Sequence, residues 1–100
     1  MPNKRSLTVA WLRMALQDMQ SCAEFIAQDN PEAAKLVVDR IWQDGQSLSS
    51  LPDRGRPGRA PGTRELVLQG FPYFLAYRVK GNRVQILRVI HTARRWPSEQ

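Results

Sequence analysis

The sequence is poor in the residues that perform nucleophilic or metal chemistry. Its 100 residues include one cysteine, Cys22, and one histidine, His91. A lone cysteine can form neither an internal disulfide nor a cysteine-based zinc site, and it fits a reducing compartment. No carboxylate pair in the second half of the chain has the spacing of metal ligands. We therefore expect no metal, no cofactor and no cysteine- or zinc-dependent enzyme.

Long apolar runs are also missing. No segment approaches the roughly 20 apolar residues that span a bilayer. Residues 1–6 lack the apolar core and the cleavage site of a signal peptide. A chain that is 42% hydrophobic at this length suits one domain that hides roughly 60 to 70% of its unfolded surface. We expect a soluble, cytoplasmic protein without membrane contact, folded as a single domain over residues 1–100 with an ordered core at residues 6–96.

Negative charge is scarce in the second half. Residues 1–50 hold five Lys/Arg against six Asp/Glu, a net charge of −1, and residues 51–100 hold ten against three, a net charge of +7. Such a polarised charge favours nucleic acid, the ribosome or an acidic protein as partner, and it speeds encounter with any of them. The alternative is a basic surface that only keeps the protein soluble.

The N-terminal half changes from the period of a strand to that of a helix. Leu7, Val9 and Trp11 alternate with small or polar residues, which predicts a short strand. From Leu12 the apolar residues recur every three or four positions, which predicts a helix ending near Gln28. Its predicted buried stripe comprises Leu12, Ala15, Leu16, Met19, Cys22, Ala23 and Ile26.

A second helix is predicted to follow almost without a loop. Asn30 can cap free amide groups, Pro31 suits the first helical position, and Glu32 favours the positive end of the helix dipole. Two helices linked so tightly form a hairpin, and neither can bury its apolar stripe without a sheet. The stripe of this second helix comprises Ala34, Val37, Val38, Ile41, Leu48 and Leu51.

Residues 52–62 are predicted to form a loop. They include three prolines and three glycines, which disfavour regular structure. Three arginines, Arg54, Arg56 and Arg59, lie in this loop. They are either solvated charges on a connector or contacts that reach phosphate or carboxylate groups.

Three strands close the chain, at residues 64–68, 73–79 and 83–90. Their short links make neighbouring strands antiparallel. We therefore expect an α+β fold, a small single domain in which a short N-terminal strand and a two-helix hairpin pack on an antiparallel sheet that ends in a three-stranded meander.

Arg88 interrupts an apolar row in the last strand. By strict alternation it shares a face with Val84, Ile86 and Ile90. An arginine in that position needs a partner or a wet groove. The two possibilities are a structural pair, with Glu65 or a carbonyl at the sheet edge, and a binding role.

Few residues could transfer protons at neutral pH. Cleavage of RNA through its own 2′-hydroxyl requires a base, an acid and cations, and arginine supplies only the last. His91, close in sequence to Arg94 and Arg95, is the best proton-transfer candidate, although a lone histidine is also consistent with a structural role. Tyr73 and Tyr77 lie in a strand predicted to pack on the helices, so we expect at least one of them in the core.

The order of these elements resembles the RelE/ParE superfamily of toxins from bacterial type II toxin–antitoxin modules. The resemblance covers essentially the whole chain. The segments that carry it are Gly-Thr-Arg-Glu-Leu at 62–66, the strand at 73–79, Val-Ile-His-x-x-Arg-x-Trp at 89–96, Asp-Asn-Pro at 29–31 and Arg-Pro-Gly-Arg at 56–59.

The resemblance implies one of two targets, because one fold serves both. RelE-like members are ribosome-dependent mRNA endonucleases, and ParE-like members poison DNA gyrase. RelE-like toxins have a central-strand arginine where this chain has Phe74. They also have a catalytic tyrosine, or a histidine–tyrosine pair, near the C-terminus, where this chain has no tyrosine. These losses favour the ParE-like alternative, although Lys80 and His91 could substitute. A non-toxic, basic nucleic-acid-binding module is the third possibility.

The resemblance also implies partners and site residues. We expect a cognate antitoxin encoded in the same operon, and a toxin–antitoxin hetero-oligomer. In a nuclease, His91, Arg94 and Arg64 are the catalytic candidates. Trp96 is either an aromatic anchor or a tail tryptophan folded onto the sheet. The expected contacts are Arg64, Arg88, Arg94, Arg95 and Trp96 for the target, Arg54, Arg56 and Arg59 in the loop, and Trp11, Trp42 and Phe71 for the antitoxin.

Overall fold

The computed structural model describes residues 6–94 and 96–97. Two helices pack on one five-stranded sheet, which confirms the predicted α+β class. The sheet order is β1-β5-β4-β3-β2. The elements in chain order are β1 (Thr8–Trp11), α1 (Arg13–Ala27), α2 (Pro31–Ser47), β2 (Arg56–Pro57), β3 (Arg64–Val67), β4 (Tyr73–Lys80) and β5 (Arg83–His91).

The sheet is mixed rather than purely antiparallel. Strands β3, β4 and β5 form the predicted antiparallel meander. Strand β1 pairs with β5 in parallel, with Thr8 opposite Arg83 and Trp11 opposite Ile86. A parallel neighbour requires a long crossover, and the helix hairpin supplies it. Strand β2 is a two-residue strand inside the segment predicted to be entirely loop, and it pairs with β3.

The helix hairpin begins and ends close to the predicted positions. The Asn30 side chain accepts a hydrogen bond from the amide of Ala33 at 3.1 Å, so the predicted cap is confirmed. Helix α2 ends at Ser47, earlier than its apolar stripe predicts. Leu48 is still buried, but Leu51 lies past the helix and is 56% exposed. Leu16 is also exposed, because the buried face of α1 follows Ala15 and Met19 and is narrower than the predicted stripe.

The main core lies between the helices and one face of the sheet. Tyr73, Leu75 and Tyr77 of β4 all contribute to it, so both tyrosines are core residues. The opposite face carries a smaller apolar group, here called the outer cluster. It consists of Phe74, Ala76, Ile90 and Trp96. No helix in the described part of the chain is long and apolar enough to cross a membrane.

A bulge in β5 changes which side chains share a face. Tyr77 pairs with Ile86 while Ala76 pairs with Arg88, so Leu87 is an extra residue in the ladder. One extra residue reverses the alternation beyond it. Val84 and Ile86 lie in the main core, whereas Arg88 lies beside Ala76 on the face of the outer cluster. The single apolar row predicted for β5 is therefore wrong.

Gly45 allows Trp11 to pack tightly against α2. A β-carbon at this position would lie 2.5 Å from Cη2 of Trp11 and 2.9 Å from Cδ1 of Ile86. Helical Gly→Ala changes ordinarily stabilise by about 1 kcal/mol, but overpacking costs about 1 to 3 kcal/mol. We expect Gly45→Ala to lower the free energy of unfolding by about 1 kcal/mol, measured by urea denaturation. The exposed Gln43→Ala in the same helix is the control and should change it by less than about 0.5 kcal/mol.

Candidate target-binding site

A cleft of about 790 Å³ lies between α1 and the C-terminal segment. We call it the α1–tail cleft. Strand β1 pairs with β5 only as far as Ile86. The edge of β5 after Ile86 is therefore not covered by β1, and α1 passes beside it. The cleft contains several of the predicted site residues. Its walls include Phe25, Arg88, Ile90, His91, Arg94 and Trp96.

Arg88 is held in place by Asp18 of α1. Its Nε donates to Asp18 Oδ2 at 2.7 Å and its Nη2 donates to Oδ1 at 3.0 Å. The amide of Val89 also donates to Oδ2, at 2.9 Å. This hydrogen bonding to Asp18 raises the pKa of Arg88. The predicted pairing of Arg88 with Glu65 is therefore wrong. The sequence contains one signal for this pairing with Asp18, because Asp18 is an acidic residue that lies between the apolar positions Ala15 and Cys22 of the predicted helix.

His91 has few means of transferring protons. Its Nδ1 accepts a hydrogen bond from the amide of Ala93 at 3.0 Å, so the proton of the neutral ring lies on Nε2. Its ring packs edge-on against Tyr73, with the centroids 5.2 Å apart. Among the described residues no carboxylate forms a hydrogen bond or ion pair with His91. The neighbouring Tyr73 is also unsuited to proton transfer near neutral pH, because burial, together with the hydrogen bond to the Cys22 thiol, raises the pKa of Tyr73 to about 12.

Trp96 folds onto the sheet and joins the outer cluster. Its indole Nε1 is buried and has no hydrogen-bond acceptor within the described part of the chain. Arg94 lies beside it in the cleft and is exposed. Arg95, the neighbouring predicted contact, lies outside the described residues. The cleft therefore presents an exposed guanidinium next to the indole ring of Trp96.

The loop arginines surround a buried carboxylate. Glu65 is only 2% exposed. Arg56 Nη2 lies 3.2 Å from its Oε1, and Arg59 Nε lies 3.3 Å from its Oε2. The amide of Arg59 also donates to Glu65 Oε2 at 3.0 Å, and its guanidinium lies over the ring of Phe74. Both arginines keep an exposed side, so they stabilise the loop while remaining accessible to a partner.

Arg64 and Arg54 tie the loop to its surroundings and lie away from the cleft. Arg64 Nη1 donates to the carbonyl of Gly55 at 2.6 Å, and its Nη2 lies 3.6 Å from Asp53 Oδ1. Arg54 Nη1 donates to Ser47 Oγ at 2.6 Å. The structure thus brings Arg88, His91, Arg94 and Trp96 together, and it places Arg64 in a separate depression.

The predicted antitoxin contacts lie in β1, in α2 and in the turn between β3 and β4, and none of them lines the α1–tail cleft. Trp11 and Trp42 are stacked, with ring centroids 5.0 Å apart, and Trp11 Nε1 donates to Gln46 Oε1 at 2.8 Å. Phe71 lies under the guanidinium of Arg40. Trp11 and Phe71 are only partly accessible, whereas Trp42 is exposed. Sequence reasoning missed the two most exposed large apolar side chains, Phe25 at 72% and Leu36 at 64%.

Alkaline titration of the folded protein should detect no tyrosinate at about pH 10, where tyrosine ordinarily ionises. Burial raises the pKa of both Tyr73 and Tyr77, that of Tyr73 to about 12, from an ordinary value of about 10. Because the folded state binds these protons more tightly, this contribution to stability is complete below about pH 10 and is lost as the pH rises towards 12. Tyrosinate absorbance should rise only with unfolding, and Tyr73→Phe should flatten the loss of stability. A rise in tyrosinate absorbance near pH 10 while the protein is still folded would contradict this prediction.

The chain matches known proteins along most of its length. The family model described as ParE toxin of the type II toxin–antitoxin system parDE matches residues 9–96. The Y4kP protein of Sinorhizobium fredii is 40% identical over 89 residues, which are 89% of this chain and 92% of that protein. Toxin RelE2 of Caulobacter vibrioides is 37% identical over 86 residues, which are 86% of this chain and 96% of that protein.

Solved structures agree with the sequence matches. A chain in the chromosomal ParDE toxin–antitoxin system from P. aeruginosa is similar with a TM-score of 0.80 and 30% identity, over 88% of this chain and 98% of that one. A chain in the toxin–antitoxin complex RelBE2 from Mycobacterium tuberculosis is similar with a TM-score of 0.56 and 26% identity, over 94% of this chain and 100% of that one. With sequence and fold in agreement, the chain belongs to the ParE toxin family of type II toxin–antitoxin systems, within the ParE/RelE superfamily.

Proposed function

We propose that this protein is a cytoplasmic toxin that binds and poisons DNA gyrase, and that a cognate antitoxin encoded in the same operon neutralises it in a hetero-oligomer. The observation that carries the choice of gyrase is the chemistry of the α1–tail cleft. Arginine does not deprotonate in proteins, and the pKa of Tyr73 is raised to about 12. Histidine is the residue type suited to proton exchange near neutral pH, and His91 is the one histidine among the described residues of the cleft. A nuclease needs both an acid and a base, so this cleft suits binding better than cleavage.

The rim of the cleft has the features of a protein-binding anchor. Arginine and tryptophan are the residue types that most often dominate binding energy at interfaces. Arg94 is exposed, and Trp96 is held by the outer cluster. Asp18 neutralises Arg88, so Arg94 supplies the accessible positive charge. An acidic segment of the target would complement this charge.

The antitoxin is proposed to cover the helix hairpin and the basic half of the sheet. Phe25, Leu36 and Trp42 leave apolar surface exposed on the two helices, and such surface favours a partner. The net charge of +7 in residues 51–100 favours an acidic partner. Both solved structures reported above are described as toxin–antitoxin assemblies. Within this proposal Trp11, Trp42 and Phe71 remain the predicted antitoxin contacts.

A RelE-like, ribosome-dependent mRNA endonuclease is the second candidate. The observation that favours it is the exposed His91 in the same cleft as Arg94, because a histidine next to a cation could act in proton transfer to or from RNA. One relative is also named RelE2. The other titratable groups described in the cleft, apart from its arginines, are engaged in the fold, because Asp18 binds Arg88 and Tyr73 interacts with Cys22.

The two candidates are separated by parallel assays on purified, antitoxin-free protein. One assay contains gyrase, relaxed plasmid and ATP, and the other contains translating ribosomes with the message mapped by primer extension. We expect blocked supercoiling or trapped cleaved DNA, with an intact message. Message cut only on ribosomes would overturn the gyrase proposal. His91→Gln provides a second criterion, because it should leave gyrase inhibition within about twofold and would abolish nuclease activity.

A further inference from the structure

We propose that the β4–β5 turn is a second binding site, which contacts the phosphate backbone of duplex DNA. The turn region, here called the hairpin tip, comprises residues 78–83. Three of these six residues are cations, Arg78, Lys80 and Arg83, and none is acidic. No ion pair within the described chain involves any of the three. The functional residues of the α1–tail cleft do not overlap with this region.

The hairpin tip holds like charges opposite each other. Lys80 pairs directly with Arg83 across the β4–β5 ladder, and like charges in that position repel. Both residues are exposed. The third cation, Arg78, donates through Nε to Gln85 Oε1 at 2.6 Å, so a neutral side chain fixes its direction. An external anion placed over the tip would relieve the repulsion between these charges.

The tip is rigid enough to present these cations as a set. Gly81 adopts a positive φ of 62°, which closes a tight turn. The carbonyl of Asn82 accepts a hydrogen bond from the amide of Thr8 at 3.1 Å, which ties the turn to β1. A preorganised set of charges loses less freedom on binding than flexible side chains on a loop.

The composition of the tip favours duplex DNA over other anionic partners. Proteins that bind single strands stack bases on aromatic side chains, and the centres of protein interfaces combine arginine with tryptophan and tyrosine. The tip has no aromatic residue, and Val79 is its one large apolar side chain. Arginine and lysine without aromatic neighbours are typical of phosphate contacts, which position a protein without reading sequence. A two-stranded ribbon also has dimensions that a DNA groove admits.

The tip and the cleft lie at opposite ends of β5. Arg83 begins the strand and His91 ends it, and eight steps of about 3.3 Å separate them by about 26 Å. The protein could therefore touch a protein target at one end and DNA at the other. This biological interpretation rests on the proposed function, because gyrase acts with duplex DNA bound. The binding of naked duplex by the tip does not depend on it.

The test measures binding of a fluorescently labelled short duplex to the purified toxin by anisotropy, at several salt concentrations. Three phosphate contacts predict a slope of about −2.7 in log K against log salt, so affinity should fall about 40-fold between about 50 and 200 mM salt. The Lys80→Gln, Arg83→Gln double variant keeps one cation. Its affinity should fall only about fourfold over this range, and it should bind more weakly than wild type at low salt.

The control variant removes the same number of positive charges, two, from the helices. Arg13 and Lys35 are exposed cations on the helices, and Arg13→Gln with Lys35→Gln should keep the wild-type slope. Lys80→Arg should keep it as well. The proposal is overturned if wild type does not bind duplex, if the tip variant binds like wild type, if the control loses as much affinity, or if a single strand of the same sequence binds as tightly. The tip variant should melt no lower than wild type, because it loses a like-charge pair.

Discussion

Replacing Arg94 with alanine is expected to abolish growth inhibition by this toxin. The Arg94 side chain is exposed in the α1–tail cleft, and it forms no hydrogen bond or ion pair among the described residues, so its removal should leave the fold intact. Loss of an arginine at the centre of an interface costs about 2 to 4 kcal/mol, which is a fall in target affinity of at least about 30-fold. The measurement is colony formation after induction, together with inhibition of supercoiling by the purified variant.

The matched control is Arg13→Ala, which removes an exposed cation at the start of α1. It should retain full toxicity and show the same melting temperature as wild type and Arg94→Ala. Two results would count against the proposed site. One is an Arg94→Ala strain that is inhibited as strongly as wild type, and the other is a control that loses toxicity to the same extent.

Replacing Tyr77 with phenylalanine is expected to destabilise the protein more than a single lost hydroxyl ordinarily would. The Tyr77 hydroxyl donates to the carbonyl of Pro52 at 2.7 Å and accepts from the amide of Gly55 at 2.9 Å. Its removal leaves two backbone groups of the arginine loop, residues 52–62, without their partner. The expected loss is about 2 to 3 kcal/mol, which lowers the melting temperature by about 8 to 20 °C in a domain of this size.

Tyr73→Phe is the control for Tyr77→Phe. Its hydroxyl interacts with the Cys22 thiol, a weak hydrogen-bond partner, so the expected loss is below about 1 kcal/mol. Release of the loop has a second readout, because trypsin should cleave Tyr77→Phe after Arg54 and Arg59 faster than it cleaves Tyr73→Phe under native conditions. Equal melting temperatures and equal cleavage rates for the two variants would show that Tyr77 does not hold the loop.

Local patterns in the sequence predicted the elements well. The cap at Asn30, the helix hairpin and the three closing strands depend on neighbours within a few residues, and all of them are present. Partners distant in sequence were not predictable in this way. Asp18 meets Arg88 seventy positions later, and β1 pairs with β5 across both helices. Only the assembled fold brings such groups together.

The candidate site was predicted in part. The tail motif at residues 89–96 contains His91, Arg94 and Trp96, and the structure brings these three residues together in the cleft. Arg64 lies outside it, because the arginine loop folds back and its carbonyl groups bind the guanidinium. Alternation alone placed Arg88 on the wrong face relative to Ile86, since no local signal in the sequence marks Leu87 as an extra residue.

The extra residue in β5 sets which side chains after it serve the core and which serve the cleft. Before Leu87 the strand contributes Val84 and Ile86 to the main core, and after it Val89 continues that core while Arg88 and His91 line the cleft. Substitutions at Arg88 and His91 can therefore vary with the target without removing an apolar side chain from the core. A deletion of one residue at this point behaves differently, because it reverses the face of every side chain from Arg88 onward. In relatives of this protein, the length of β5 should thus be held more strictly than the identity of its last residues.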